Sequence, residues 1–300
     1  MKNISVWISS MRLRTLPLSI SGIILASSFA EYNGFFKWDI FILAILATLS
    51  FQILSNLAND FGDGLKGTDN AERIGPERAI QSGKISPEEM LNGIKLNVLI
   101  SICLSTLLIY SAFGVKNLVL TITFFLLGGL SVVAAIRYTV GRNAYGYKGL
   151  GDVFVFIFFG LVSVIGCYVL YAKKIDNVVF LPAITIGLLS TAVLNLNNMR
   201  DRISDQKSNK ITLAVKLGAK KVKVYHNILI IGAIIFSGLF GLLFYTTPYN
   251  LIFVITYIPL ILHLKRVNKN IEPKLLDPEL KKLALTTVLL AILLGFGYLF

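Results

Sequence analysis

Long apolar runs alternate with polar segments along the whole chain, and the polar segments are alternately short and long. The runs predict helices near 16–33, 40–59, 91–113, 117–138, 152–171, 178–199, 225–246, 249–266 and 283–300. Each is close to the ~20 apolar residues that cross a bilayer. The longest polar segments are 60–90, 200–224 and 267–282. The fold class expected is all-α: a polytopic bundle of nine transmembrane helices, forming a single domain over residues 1–300, with 60–90 and 200–224 as active-site loops at one membrane face.

Composition agrees with the pattern. The chain is 55% hydrophobic and 15% charged, with 20 Phe and 12 Tyr and a mean hydropathy of +0.73. A soluble globular chain carries about 25% charged residues, so a soluble enzyme is excluded, and so is disorder. Cys103 and Cys167 lie inside apolar runs without metal-ligand spacing, which points to neither a disulfide framework nor a thiolate site.

The formal net charge of +13 gains meaning only from its distribution. With nine spans, 25 Lys and Arg fall on the side of the N-terminus and four (Lys37, Lys116, Lys173, Lys174) on the other. That asymmetry is the positive-inside pattern, so the N-terminus and the long polar segments are expected in the cytoplasm. The basic surplus sets topology, and nucleic acid is not an expected partner.

Acidic residues carry the chemistry. An Asp at a helix centre costs about 2.5–3.5 kcal/mol on insertion scales, so carboxylates gather at helix ends. One cluster reads Asn56-Leu-Ala-Asn59-Asp60-Phe-Gly-Asp63, continuing to Asp69; a helix through it stacks Asn56, Asp60 and Asp63 on one face. The other reads Asn195-Leu-Asn197-Asn198-Met-Arg200-Asp201, continuing to Asp205, with Asn198, Asp201 and Asp205 on one face. If both faces meet, four carboxylates converge, each pair about 4 Å apart repelling by roughly 4 kcal/mol at an effective dielectric near 20. A divalent cation removes that cost. All-oxygen donors suit Mg²⁺, which is characteristically held by a few carboxylates plus substrate phosphates. Lys66, Arg73 and Arg78 follow the first cluster, and Arg200, Arg202, Lys207 and Lys210 surround the second, as a phosphorylated substrate requires.

These motifs resemble those of the UbiA superfamily of intramembrane aromatic prenyltransferases, and the resemblance covers nearly the whole chain. It rests on Asn59-Asp60-x-x-Asp63 after the second span and Asp201-x-x-x-Asp205 after the sixth. Arg14-Thr-Leu-Pro17, Gly67-Thr-Asp69, Arg73-Ile-Gly-Pro76 with Arg78, the run from Gly149 through Asp152 to Gly160, and Lys210-Ile-Thr-Leu-Ala214 bring it closest to the branch that prenylates 1,4-dihydroxy-2-naphthoate. Two positions depart from the pattern. Leu13 stands where the branch usually has Pro, and Arg142 stands where other members often have Lys.

The resemblance implies a Mg²⁺-dependent membrane enzyme whose partners are a polyprenyl diphosphate, 1,4-dihydroxy-2-naphthoate and the lipid bilayer, with no obligate protein partner. The implied reaction loses pyrophosphate and carbon dioxide and yields demethylmenaquinone. The expected metal ligands are Asp60, Asp63, Asp201 and Asp205, with Asn59 and Asp69. Arg14, Arg73, Arg78, Asn198, Lys210, Tyr138 and Arg142 are expected to bind substrate, and Asp152 is a polar site residue or a helix cap. Tyr145 and Tyr147, His226 and His263 read as interfacial, and the Phe run at 154–159 as packing. Two alternatives remain: a relative using 4-hydroxybenzoate, homogentisate or haem as acceptor, or an ion-coupled secondary transporter. Transporter sites usually lie at mid-bilayer on broken helices, whereas these clusters lie at helix ends.

Overall fold

Every apolar run is helical in the computed structural model, which describes residues 2–69 and 74–300, with the side chains of Lys2, Asn3 and Arg14 outside that description. Among the described residues there is no strand. Helix α1 (Lys2–Ser10) precedes the first span, a short helix that the apolar pattern does not signal. The bundle then comprises α2 (Leu16–Tyr32), α3 (Trp38–Leu65), α4 (Pro87–Phe113) and α5 (Leu118–Arg137). A span follows that is split into α6 (Gly151–Val155), a π-helical segment (Phe156–Gly166) and α7 (Cys167–Ala172). Last come α8 (Phe180–Lys207), α9 (Leu213–Leu243), a 3₁₀ turn Pro248–Thr256 running into α10 (Tyr257–Lys269), and α11 (Asp277–Leu299). Among the described residues, eight helices are long and apolar enough to cross a membrane. The remaining predicted span is α2, whose 17 residues fall slightly short of a full crossing.

Two expected loop boundaries need correction. Helix α3 runs on to Leu65, and α8 runs on to Lys207 with α9 resuming at Leu213. Most of the polar segment 200–224 is therefore helix. At about 1.5 Å per residue, a 28-residue helix is about 42 Å long, some 12 Å more than the ~30 Å hydrocarbon layer. Hydropathy marks where the membrane ends, and the helices continue past it carrying the carboxylates.

Local chemistry explains the caps. Ser86 accepts the Glu89 amide at 3.2 Å while Glu89 accepts the Ser86 amide at 2.7 Å, with Pro87 next, so α4 starts on a capping box. Helix α8 is the axis of the bundle. Ala183, Ile186, Leu189, Ala192 and Leu196 are wholly buried in a core shared with α2, α7, α9 and α11. A smaller core joins α3 and α4. Gly160 of the π-helical segment packs directly on α8: a Cβ there would stand 2.6 Å from both Ala183 O and Gly187 Cα.

Candidate active site

A cavity of about 560 Å³ opens among α2, α3, α4, α5, the split span, α8 and the start of α11. One end is polar and the other apolar. Asp63, Asp69, Arg78, Asp201, Asp205 and Lys210 mark the polar end, and Ala47, Phe124, Phe158 and Leu170 are among the apolar lining.

The ends of the second and sixth predicted spans do meet. Asp63 on α3 accepts from Lys210 Nζ at 2.8 Å, and Lys210 sits in the turn between α8 and α9, 147 residues away in sequence. Tyr147 donates its hydroxyl to the other Asp63 oxygen at 2.7 Å and pairs with Thr68 at 2.6 Å. Burial alone would lower the Lys210 value, but the Asp63 and Asp205 carboxylates outweigh it and hold this ammonium well above the usual lysine range. Burial, reinforced by the Asp63 carboxylate, pushes the Tyr147 phenol far up, so it stays a neutral donor.

Asp60 is buried behind the cavity wall. Arg12 donates to Asp60 Oδ1, and Arg78 Nε stands 3.6 Å from the same oxygen. Asp60 Oδ2 is also buried, without a hydrogen-bond partner among the described residues. Arg12 itself has left-handed backbone (φ 52°, ψ 57°) between α1 and the short 3₁₀ turn Leu13–Thr15. For a residue with a Cβ this conformation is strained, and here it turns the guanidinium onto α3. Local sequence marks Arg12 only as one of the 25 basic residues on the side of the N-terminus. Its position two residues before Arg14 and directly ahead of the first span was the available signal.

The second cluster has its own cation. Arg200, buried to 1% exposure, donates from Nε and Nη2 to Asp201 at 2.8 and 2.7 Å. It was expected to face phosphate, yet its remaining donors reach Asn197 Oδ1 and Asp277 Oδ1. Asp205 and Asn198 are buried and line the cavity. Lys66 donates to Thr139 O at 2.7 Å, tying the end of α3 to the turn after α5. A Cβ on Gly62 would come 2.7 Å from the Thr139 carbonyl carbon, so glycine between the two aspartates permits this close approach.

Several expected residues fall elsewhere. Arg142 is exposed on the turn after α5 and does not line the cavity, so it is removed from the site. Arg73 and the Arg14 side chain lie outside the described residues. Asn59, Asn198, Asp69 and Tyr138 line the cavity, and Asn59 Oδ1 accepts from Thr139 at 3.3 Å. Asp152 is buried at the start of α6, where it accepts from Tyr225 at 3.3 Å.

The aromatic and histidine expectations change more. Tyr145 lines the cavity, stacked on Phe154 at a 3.9 Å centroid distance, with Tyr138 edge-on at 5.3 Å. Phe154 of α6 and Phe158 and Phe159 of the π-helical segment are cavity wall. His226 and His263 are buried, hydrogen-bonded to each other through Nε2 at 2.9 Å, and His263 Nδ1 bonds Glu279 at 2.9 Å. Their partner lies on α11, which no local pattern reveals.

The donor set suits a hard cation. It consists of the carboxylate and carboxamide oxygens of Asn59, Asp63, Asn198, Asp201 and Asp205 on two helices. No three His, Cys, Asp or Glu side chains among the described residues stand close enough to enclose a metal ion by themselves. Mg²⁺ characteristically completes its coordination with substrate phosphate oxygens and water, and is the kind of ion such oxygen donors would hold.

A model of the UbiA prenyltransferase family matches residues 20–281. The 1,4-dihydroxy-2-naphthoate octaprenyltransferase of Escherichia coli (strain K12) is 40% identical over 290 residues, covering 96% of this chain and 94% of its own. That of Haemophilus influenzae is 42% identical over 301 residues, covering 99% and 97%. Among solved structures, a UbiA homolog from Archaeoglobus fulgidus bound to GPP and Mg²⁺ superposes with a TM-score of 0.64 at 14% identity, covering 96% of this chain and 99% of its own. An apo UbiA homolog from Aeropyrum pernix K1 superposes with a TM-score of 0.67 at 14% identity, covering 96% of each chain. At such identity the likeness is one of fold.

Proposed function

The chain belongs to the UbiA prenyltransferase family, and from that premise we propose that it transfers a polyprenyl group from a polyprenyl diphosphate to 1,4-dihydroxy-2-naphthoate. Pyrophosphate and carbon dioxide leave, and the prenylated 1,4-dihydroxynaphthalene forms, the reduced (quinol) state of demethylmenaquinone. The observation that carries this reading is a single cavity with carboxylates and cations at one end and an apolar channel at the other, joined to relatives at 40% and 42% identity that bear this activity in their names. The positive-inside distribution supports a polar end at the cytoplasmic face of the cytoplasmic membrane, with the N-terminus on the same side.

Asp63, Asp201 and Asp205, with Asn59 and Asn198, are the residues on the cavity that would hold Mg²⁺. When bound, such an ion neutralises diphosphate charge and so favours its departure. Lys210 and Arg78, both on the cavity wall, and Arg12 over Asp60 supply fixed positive charge where the leaving group gathers negative charge. As the allylic carbon–oxygen bond breaks, the prenyl cation faces the Tyr145, Phe154 and Phe158 rings, whose faces attract positive charge. The apolar wall keeps water from capturing it. The naphthalene carbon bearing the carboxylate attacks the cation, and loss of carbon dioxide restores the aromatic ring.

The test is product analysis. Purified protein offered Mg²⁺, one polyprenyl diphosphate and an equal mixture of 1,4-dihydroxy-2-naphthoate, 4-hydroxybenzoate and homogentisate is expected to yield the decarboxylated naphthoate adduct by mass spectrometry. A prenylated hydroxybenzoate as the main product would overturn the acceptor assignment.

A further inference from the structure

Arg200 is the most enclosed cation of the polar end, and it holds two carboxylates at once. Nε and Nη2 grip Asp201 at 2.8 and 2.7 Å, while Nη1 donates to Asp277 at the first residue of α11. Nη2 also donates to Asn197 at 2.9 Å. All four residues line the cavity. A guanidinium stays charged at any accessible pH, and a buried cation stripped of its counter-charge is strongly unfavourable. With Asp201 as its sole carboxylate partner, Arg200 would therefore oppose any departure of Asp201 toward another cation.

The frame around α11 fixes where Asp277 stands. Two residues further on, Glu279 accepts from Lys282 at 2.6 Å and pairs with His263 of α10 at 2.9 Å. His263 bonds His226 of α9 at 2.9 Å, and His226 bonds Asn195 of α8 at 3.3 Å. Asn195 and Arg200 belong to the same helix. Two polar connections therefore tie α11 to α8: one runs from Glu279 through His263 and His226 to Asn195, and the other is the Asp277–Arg200 pair, which holds the first turn of α11 against the second aspartate motif.

We propose that Asp277 is a positioning residue, the standing counter-ion of Arg200, whose negative charge lets the Asp201 carboxylate leave Arg200 and serve the metal-bound diphosphate. This deepens the reading of Asp201 as a metal ligand and rests on it. Asp277 belongs to neither aspartate motif and lies 77 residues from Arg200 in sequence.

The test measures metal binding rather than turnover. Mn²⁺ serves as the probe, and its uptake by detergent-purified protein in the presence of one equivalent of pyrophosphate is read from loss of the free-ion paramagnetic resonance signal, against a protein-free blank. Asp277→Asn keeps the shape and removes the charge, and is expected to bind Mn²⁺ roughly 10–100-fold more weakly, the range for losing an outer partner of a metal ligand. Asp277→Glu, which keeps the charge, is expected to recover most of that loss in affinity. Unchanged affinity in Asp277→Asn, or a lower melting temperature at unchanged affinity, overturns the proposal. Asp201→Asn separates the two levels. If it loses Mn²⁺ while Asp277→Asn does not, only the role of Asp277 fails; if it binds Mn²⁺ like the parent, the metal reading of Asp201 fails and takes this inference with it.

Discussion

Asp63 accepts from Lys210 on one oxygen and from Tyr147 on the other, so its charge is compensated before any substrate arrives. Lys210→Met removes the counter-charge and leaves a buried carboxylate. Transfer assays are expected to show a raised KM for the diphosphate donor, with a smaller effect on the KM for the acceptor. The pH dependence follows from the raised Lys210 value. A cation with a raised value contributes stability that is complete below the ordinary lysine pKa, about 10.4, and is lost as pH climbs through the higher folded value. The stability gap between the parent and Lys210→Met should therefore stay constant from about pH 7 to 10 in thermal unfolding and narrow only above that range. Arg12→Ala strips Asp60 of one partner and leaves Arg78 at 3.6 Å. Breaking a buried pair costs about 3–5 kcal/mol, so a fall toward the lower figure is expected, since the Arg12 side chain is 18% exposed. An unchanged melting temperature would show that the Arg12–Asp60 pair contributes nothing.

At the scale of elements, the π-helical segment and α8 are packed through glycines. Gly160 leaves no room for a Cβ against the Ala183 carbonyl, and a Cβ on Gly187 would stand 2.8 Å from the Phe156 ring. Gly160→Ala should thus overpack this contact at a cost of about 1–3 kcal/mol, read as a lower melting temperature in detergent. The same displacement would shift Phe158 and Phe159, which line the cavity. Donor binding should weaken along with stability, whereas Gly34→Ala, at a surface turn with open space around it and strained only locally by its φ of 74°, should change stability alone. The apolar pattern announced this span but gave no sign of its π geometry, because hydropathy registers which residues are buried and is blind to how many residues fill a turn.

For the whole molecule, the two-ended cavity is the central fact. Ala47 lies on its apolar wall, about 24 Å along α3 from Asp63 at about 1.5 Å per residue. A large side chain there blocks the deep end and leaves the polar end intact. Ala47→Phe is expected to keep turnover with geranyl diphosphate and to lose it with octaprenyl diphosphate, measured as the ratio of the two specificity constants. An unchanged ratio would mean that the tail leaves the cavity before reaching α3's deeper half.

The chain's own order of residues determined that nine segments are apolar, that charge collects at one membrane face, and that two helix ends carry Asn and Asp on shared faces. These are local matters, because the cost of placing a side chain in hydrocarbon attaches to each residue separately, and a helix fixes the spacing of its neighbours. Tertiary structure alone decided the partners: Arg12 for Asp60 across 48 residues, Lys210 for Asp63 across 147, and Asp277 for Arg200 across 77. It also buried the His226–His263 pair, which had read as interfacial, and turned Arg142 outward. Such pairings depend on how each helix is rotated and crossed against the others, which interlocking side chains along the whole bundle settle together and no single segment specifies.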